Sequence, residues 1–91
     1  MISPQNVIRH ELIGLDVLVI EATNRHIQGM NGIVVDETRN MLHILSTGKV
    51  RRIQKSGNVF RFTLPDGTMV DVQGKTIAMQ PERRVAIRVK K

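Results

Sequence analysis

Val59-Phe60-Arg61-Phe62-Thr63-Leu64-Pro65-Asp66-Gly67-Thr68-Met69-Val70-Asp71-Val72 reads as a strand, a tight turn and a second strand. Phe60, Phe62 and Leu64 alternate with Val59, Arg61 and Thr63, the period of two expected of a strand with one buried face. Pro65 fixes φ, Asp66 bonds its own backbone and Gly67 accepts positive φ, so the Pro-Asp-Gly triplet reverses the chain. Val70 and Val72 take the inward positions of the second strand. Two strands alone cannot bury such a face in water, so the segments around them must complete the core.

Upstream, β-branched runs broken by turn residues recur from Asp16 onward: Val17 to Glu21, Gly32 to Glu37, Met41 to Leu45 and Lys49 to Lys55. Regular short strands of this kind predict a small all-β barrel or sandwich. Thr38-Arg39-Asn40, Ser46-Thr47-Gly48 and Ser56-Gly57-Asn58 are the expected turns, with Asn40 the residue of the first that best tolerates a left-handed backbone. Val50 and Ile53 are three apart and cannot both face inward from a regular strand, which predicts a bulge or sharp bend at Arg51-Arg52. Strong bending is how a short antiparallel sheet closes into a barrel. Thr76 to Met79 is expected to be a closing strand.

The ends read differently. Ser3 as cap, Pro4 at the first helical position, the Ile2/Val7 staple and a stop at Gly14 predict a helix over 1–14. Val7, Ile8, Leu12 and Ile13 form its apolar stripe. Pro81-Glu82-Arg83-Arg84 starts like a helix, whereas Val85, Ile87 and Val89 alternate like a strand; both readings stay open for 85–89. The expected organisation is thus an N-terminal helical extension (1–14), a β domain (15–80) and a basic C-terminal extension (81–91).

Charge narrows the function. Residues 1–46 carry a net charge of −2 and residues 47–91 one of +8. Between Thr38 and Pro65 there is no carboxylate, yet Arg39, Lys49, Arg51, Arg52, Lys55 and Arg61 all fall there. Self-repulsion of this kind destabilises a small domain unless a polyanion relieves it, and nucleic acid is the partner that fits. With Phe60 and Phe62 the only aromatics, base stacking is not the expected mode of binding; phosphates, 2′-hydroxyls and shape are. The absence of cysteine favours a reducing compartment and excludes a cysteine-based zinc site. The longest apolar run, Val17 to Ile20, is far short of the ~18 residues of a membrane span. No secretion signal is evident, and a cytoplasmic location is expected.

Enzyme constellations are weak. His10-Glu11 lacks the second histidine four residues on that a zinc helix needs, and His26 and His43 have no partner pattern. Asp36 and Glu37 are adjacent, so on a strand they face opposite ways and cannot act as a carboxylate pair. They are expected to organise the turn, with Asp36 bonding the backbone ahead and either pairing with a neighbouring base. Gly29-Met-Asn-Gly32-Ile-Val34 lacks the Lys-Ser/Thr ending of a phosphate loop, and resembles the KOW element of ribosomal and transcription proteins. No catalytic residue and no metal ligand is expected in this chain.

Asn6-Val-Ile-Arg-His-Glu-Leu-Ile-Gly14, Val34-Val-Asp-Glu-Thr-Arg-Asn40 and Leu64-Pro-Asp-Gly67, followed by Gly74-Lys75 and Pro81-Glu82, resemble the archaeal ribonuclease P protein component 1 family. That family is the counterpart of the 29-kilodalton subunit of the eukaryotic enzyme. The resemblance implies a strongly bent antiparallel Sm-like barrel with terminal helical extensions. It also implies a non-catalytic subunit that binds and stabilises the RNA of ribonuclease P, the ribonucleoprotein that removes the 5′ leader from precursor tRNA. Magnesium-dependent catalysis would belong to that RNA, and a 21-kilodalton-type zinc-ribbon protein would be the protein partner. Val7, Ile8, Leu12 and Ile13, with the second strand, carry over as partner surface. On charge, Arg39, Lys49, Arg51, Arg52, Lys55, Lys75, Arg83 and Arg84 are the expected RNA contacts. A ribosome-associated KOW-type barrel is the alternative RNA reading, and a small hydrolase acting alone is the enzymatic one.

Overall fold

The computed structural model describes residues 12–79. Six strands form one antiparallel sheet: β1 Asp16–Ala22, β2 Asn31–Glu37, β3 Met41–Ser46, β4 Lys49–Gln54, β5 Asn58–Thr63 and β6 Met69–Gln73. Their spatial order is β4-β3-β2-β1-β5-β6, and a 3₁₀ helix, Gly74–Ile77, follows β6.

The Phe60/Phe62 alternation sets the centre. Both rings are fully buried, 6.1 Å apart between centroids, and β5 joins β6 with Phe60 opposite Val72 and Phe62 opposite Val70. At the connecting turn Gly67 takes φ +88° and the Thr68 amide donates to Asp66 Oδ1 at 2.9 Å. Val17, Val19, Val34, Leu42, Ile44, Ile53 and Val72 join the phenylalanines in a single cluster, so all six strands contribute to one core. A single sheet that buries one face within itself has to curl, and the fold is a strongly bent barrel.

The bends lie elsewhere than the sequence suggests. β4 pairs with β3 without interruption from Lys49 opposite Ser46 to Gln54 opposite Met41. Val50 points outward and is 57% exposed, while Ile53 is buried. The conflict between them disappears because an edge strand does not have to bury every apolar side chain. The irregularities sit between Val19 and Glu21 of β1 and between Val34 and Asp36 of β2, where the strands in the middle of the sheet bend most usefully. Asn40 does not take the left-handed backbone; among the described residues the non-glycine with positive φ is Thr47 (50°), followed by Gly48 (79°). Two consecutive positive φ values are what a two-residue hairpin loop requires, and they join β3 to β4. The Thr38 turn is held instead by its own hydroxyl, which accepts from the Met41 amide at 3.2 Å.

The expected closing strand at Thr76 to Met79 is replaced by the 3₁₀ helix. A buried ammonium meets the carbonyls at and beyond its end: Lys55 Nζ donates to Ile77 O at 2.9 Å and to Met79 O at 3.5 Å. The same ammonium meets Glu37 Oε2 at 2.7 Å, and both side chains are essentially inaccessible. A Cβ on Gly74 would overlap the Lys55 carbonyl oxygen, so the backbone after β6 packs directly on the backbone after β4. These contacts span the seam between the two edge strands.

The helix expected over 1–14 and the extension 81–91 lie outside the described residues, apart from 12–14. There Leu12 is buried in the core and Gly14, at φ +95°, donates its amide to Val34 O at 2.7 Å.

Candidate nucleic-acid interface

β4 is the basic element. Lys49, Arg51 and Arg52 are all exposed on it, and among the described strands it lies at the edge, with β3 as its one ladder partner. Lys49 and Arg51 lie opposite Ser46 and Ile44, while Arg52 lies opposite His43. Alternation therefore places Lys49 and Arg51 on the core-side parity and Arg52 on the outer face, so the edge presents cations to both sides. Arg39, in the turn between β2 and β3, and Lys75, in the 3₁₀ helix, are also exposed. Among the described residues none of these five cations forms an ion pair, so their field is left for an external anion.

Lys55 departs from the expected set. Its side chain is fully buried against Glu37 and the Ile77 carbonyl, and no ammonium reaches the surface for a phosphate. Within the sequence it resembles its neighbours, because the carboxylate that neutralises it comes from β2, eighteen residues away. Arg61 is neutralised too: its guanidinium makes a two-pronged contact with Asp71 on β6, at 2.8 and 3.2 Å. That hydrogen bonding holds the Asp71 carboxyl below the ordinary range and raises the guanidinium. Asp66 is likewise lowered, by the Thr68 amide. Arg25, exposed in the loop after β1 and without an ion pair among the described residues, adds a cation from outside the acid-free stretch; a lone arginine between neutral residues carries no signal in the sequence. Arg83 and Arg84 lie outside the described residues.

The expected partner residues separate in the same way. Leu12 is buried in the core and cannot face a partner, whereas Ile13 is 42% exposed; Val7 and Ile8 lie outside the described residues. A different apolar surface comes from the strand register: Val50 of β4 opposes Leu45 of β3, which opposes Ile33 of β2. All three are exposed, and Val35 of β2 joins them. This outer-face row runs on to Asp16, Thr63 and Met69 across β1, β5 and β6. A groove of about 440 Å³ lined by Leu18, Ile33, Arg61 and Met69 lies along it.

Asp36 and Glu37 do face opposite ways, one exposed and one buried. Asp36 Oδ1 accepts from the Glu37 amide at 2.8 Å, and Oδ2 lies 3.8 Å from His43 Nδ1. Among the described residues no group of three or more His, Asp and Glu side chains is arranged to hold a metal. No helix among them is long and apolar enough to cross a membrane.

Comparison with known proteins agrees with the geometry. The family model of Ribonuclease P/MRP, subunit p29 matches residues 5–87. Ribonuclease P protein component 1 of Methanosphaera stadtmanae is 50% identical over 86 residues, covering 93% of this chain and 91% of its own. The protein of the same name from Methanothermobacter thermautotrophicus is 42% identical over 92 residues, covering 100% and 99%. A solved structure, Mth11, described as a homologue of human RNase P protein Rpp29, superposes with a TM-score of 0.62 at 43% identity, over 82% of this chain and 97% of that one. With the motif order, the bent barrel and the relatives all in agreement, the chain belongs to the ribonuclease P/MRP subunit p29 family and is a ribonuclease P protein subunit of the archaeal component 1 type.

Proposed function

We propose that this chain binds the catalytic RNA of ribonuclease P and stabilises its active fold for removal of the 5′ leader from precursor tRNA, without contributing a catalytic group. The observation that carries this is the unneutralised cation set on β4 and its surroundings: Arg39, Lys49, Arg51, Arg52 and Lys75, none in an ion pair among the described residues. Both phenyl rings are in the core, so the contacts are with phosphates and sugars, which set register and affinity rather than read sequence. Bond cleavage and the magnesium it needs belong to the RNA. By neutralising phosphates, the protein takes over part of the counterion role that magnesium otherwise fills in folding that RNA.

The outer-face row Val50, Leu45, Ile33 is the docking surface for a second protein subunit, of the zinc-ribbon kind. Exposed aliphatic side chains from three adjacent strands, flanked by Arg52 and Asp36, have the apolar centre and charged rim of a protein interface.

Reconstitution tests the reading. Adding this chain and its partner subunit to the RNA should lower the magnesium concentration at which precursor tRNA is cleaved. An unchanged magnesium requirement, with the proteins shown to be folded, would refute it.

A further inference from the structure

A second cleft, of about 490 Å³, opens where the end of β1, the β4–β5 turn and the 3₁₀ helix meet. Its size is within the ~300–1,000 Å³ range of small-molecule sites. Glu21, Thr23, Gln28, Asn58, Gln73 and Lys75 supply its polar lining. Glu21 and Lys75 are exposed and do not pair with each other or with another described residue. Opposite charges thus face one cavity without neutralisation. Asn58 is 5% exposed; its amide donates to Gln54 O, and its Oδ1, itself inaccessible, has no hydrogen-bond partner among the described residues. Buried acceptors of this kind are rare, but this one is closed off from the cleft; the unpaired Glu21 and Lys75 are what call for an occupant.

The donor and acceptor inventory defines that occupant. Glu21 can only accept, while Lys75 can only donate. A bare phosphate suits Lys75 but is repelled by Glu21. A nucleotide satisfies both, with an anionic group for the ammonium and base N–H groups for the carboxylate. Guanine is the base whose pairing edge sets N1–H and N2–H₂ side by side, the fork from which a carboxylate accepts two parallel hydrogen bonds; the other bases offer one donor group there.

We infer that this cleft holds a single unpaired guanine nucleotide, with its base edge on Glu21 and its phosphate on Lys75. The source of that nucleotide, an unstacked guanine of the bound RNA, rests on the function proposed above; a free guanine nucleotide carries the same chemistry. The site would give a sequence-reading contact to a protein that otherwise holds its RNA through the backbone.

The experiment is a titration of the ¹⁵N-labelled full chain with GMP, AMP, CMP, UMP and inorganic phosphate, followed by amide shifts, with binding to ribonuclease P RNA measured in parallel. GMP should move the amides of Thr23, Gly57 and Lys75 and leave the hairpin at Ser46 to Arg52 unmoved. Its affinity should exceed that of the other ligands by about tenfold or more. Glu21→Gln should bring GMP down to the level of AMP, and Lys75→Ala should weaken all four nucleotides by a similar factor. Equal shifts from phosphate, equal shifts from all four nucleotides, or no response at the cleft while RNA binding persists would each overturn the guanine site and leave the RNA-subunit reading standing. Selective GMP binding without RNA binding would keep the site, as one for free nucleotide, and remove the RNA-subunit reading.

Discussion

Lys55 Nζ lies 2.7 Å from Glu37 Oε2 and 2.9 Å from the Ile77 carbonyl, in an interior that excludes water. Desolvating two charges nearly cancels their attraction, but removing one of them strands the other. Glu37→Leu alone or Lys55→Met alone should therefore cost about 3–5 kcal/mol in urea unfolding. The double substitution should recover most of that stability, because it strands no charge. Arg61 and Asp71 behave differently, being exposed. Asp71 and Asp66 both titrate below the ordinary carboxylate value in the folded chain, so the unfolded chain binds more protons in the acid range. Their contribution is complete above the unfolded aspartate value of ~3.9 and disappears as pH falls through the folded values. Unfolding midpoints measured from neutral pH downward should show this fall, and Asp71→Asn should flatten it.

At the scale of elements, the seam between the edge strands depends on backbone packing. Gly74→Ala would drive a methyl group into the Lys55 carbonyl and should destabilise the fold by about 2–3 kcal/mol, read as a lowered thermal midpoint. β4 carries the opposite kind of test. Its cations face solvent, so replacing Lys49, Arg51 and Arg52 with alanine should leave stability within about 0.5 kcal/mol for each. Every phosphate that is no longer neutralised should reduce the log-log salt slope of RNA affinity by ~0.7–0.9. A slope unchanged in the triple variant would remove β4 from the RNA interface. The same charges discourage another chain from adding to the edge.

Over the whole molecule, the sheet sets two adjoining surfaces side by side, a cationic edge centred on β4 and an apolar outer row that starts on the same strand at Val50 and runs through Leu45 to Ile33. Leu45→Glu, at an exposed position, should leave the fold and RNA affinity intact while weakening capture of the partner subunit by tenfold or more, on the order of the ≥ 2 kcal/mol of an interface hot spot. Pull-down of the purified partner would show it. Much of this plan was legible in local sequence. The Phe60/Phe62/Leu64 alternation, the Pro65-Asp66-Gly67 turn and the turn glycines determine strands and reversals, because side-chain period and backbone conformational freedom act within a few residues. The excess of cations after Thr47 is likewise a property of composition. Where the chain bends, which of the similar lysines is buried and which aliphatic residues line up across strands were decided only in three dimensions. Each depends on a partner brought by the sheet from far along the chain: Glu37 for Lys55, Leu45 for both Ile33 and Val50, the 3₁₀ helix for the seam. Local pattern tells which residues can form a strand, whereas burial and charge neutralisation depend on what the fold sets beside them.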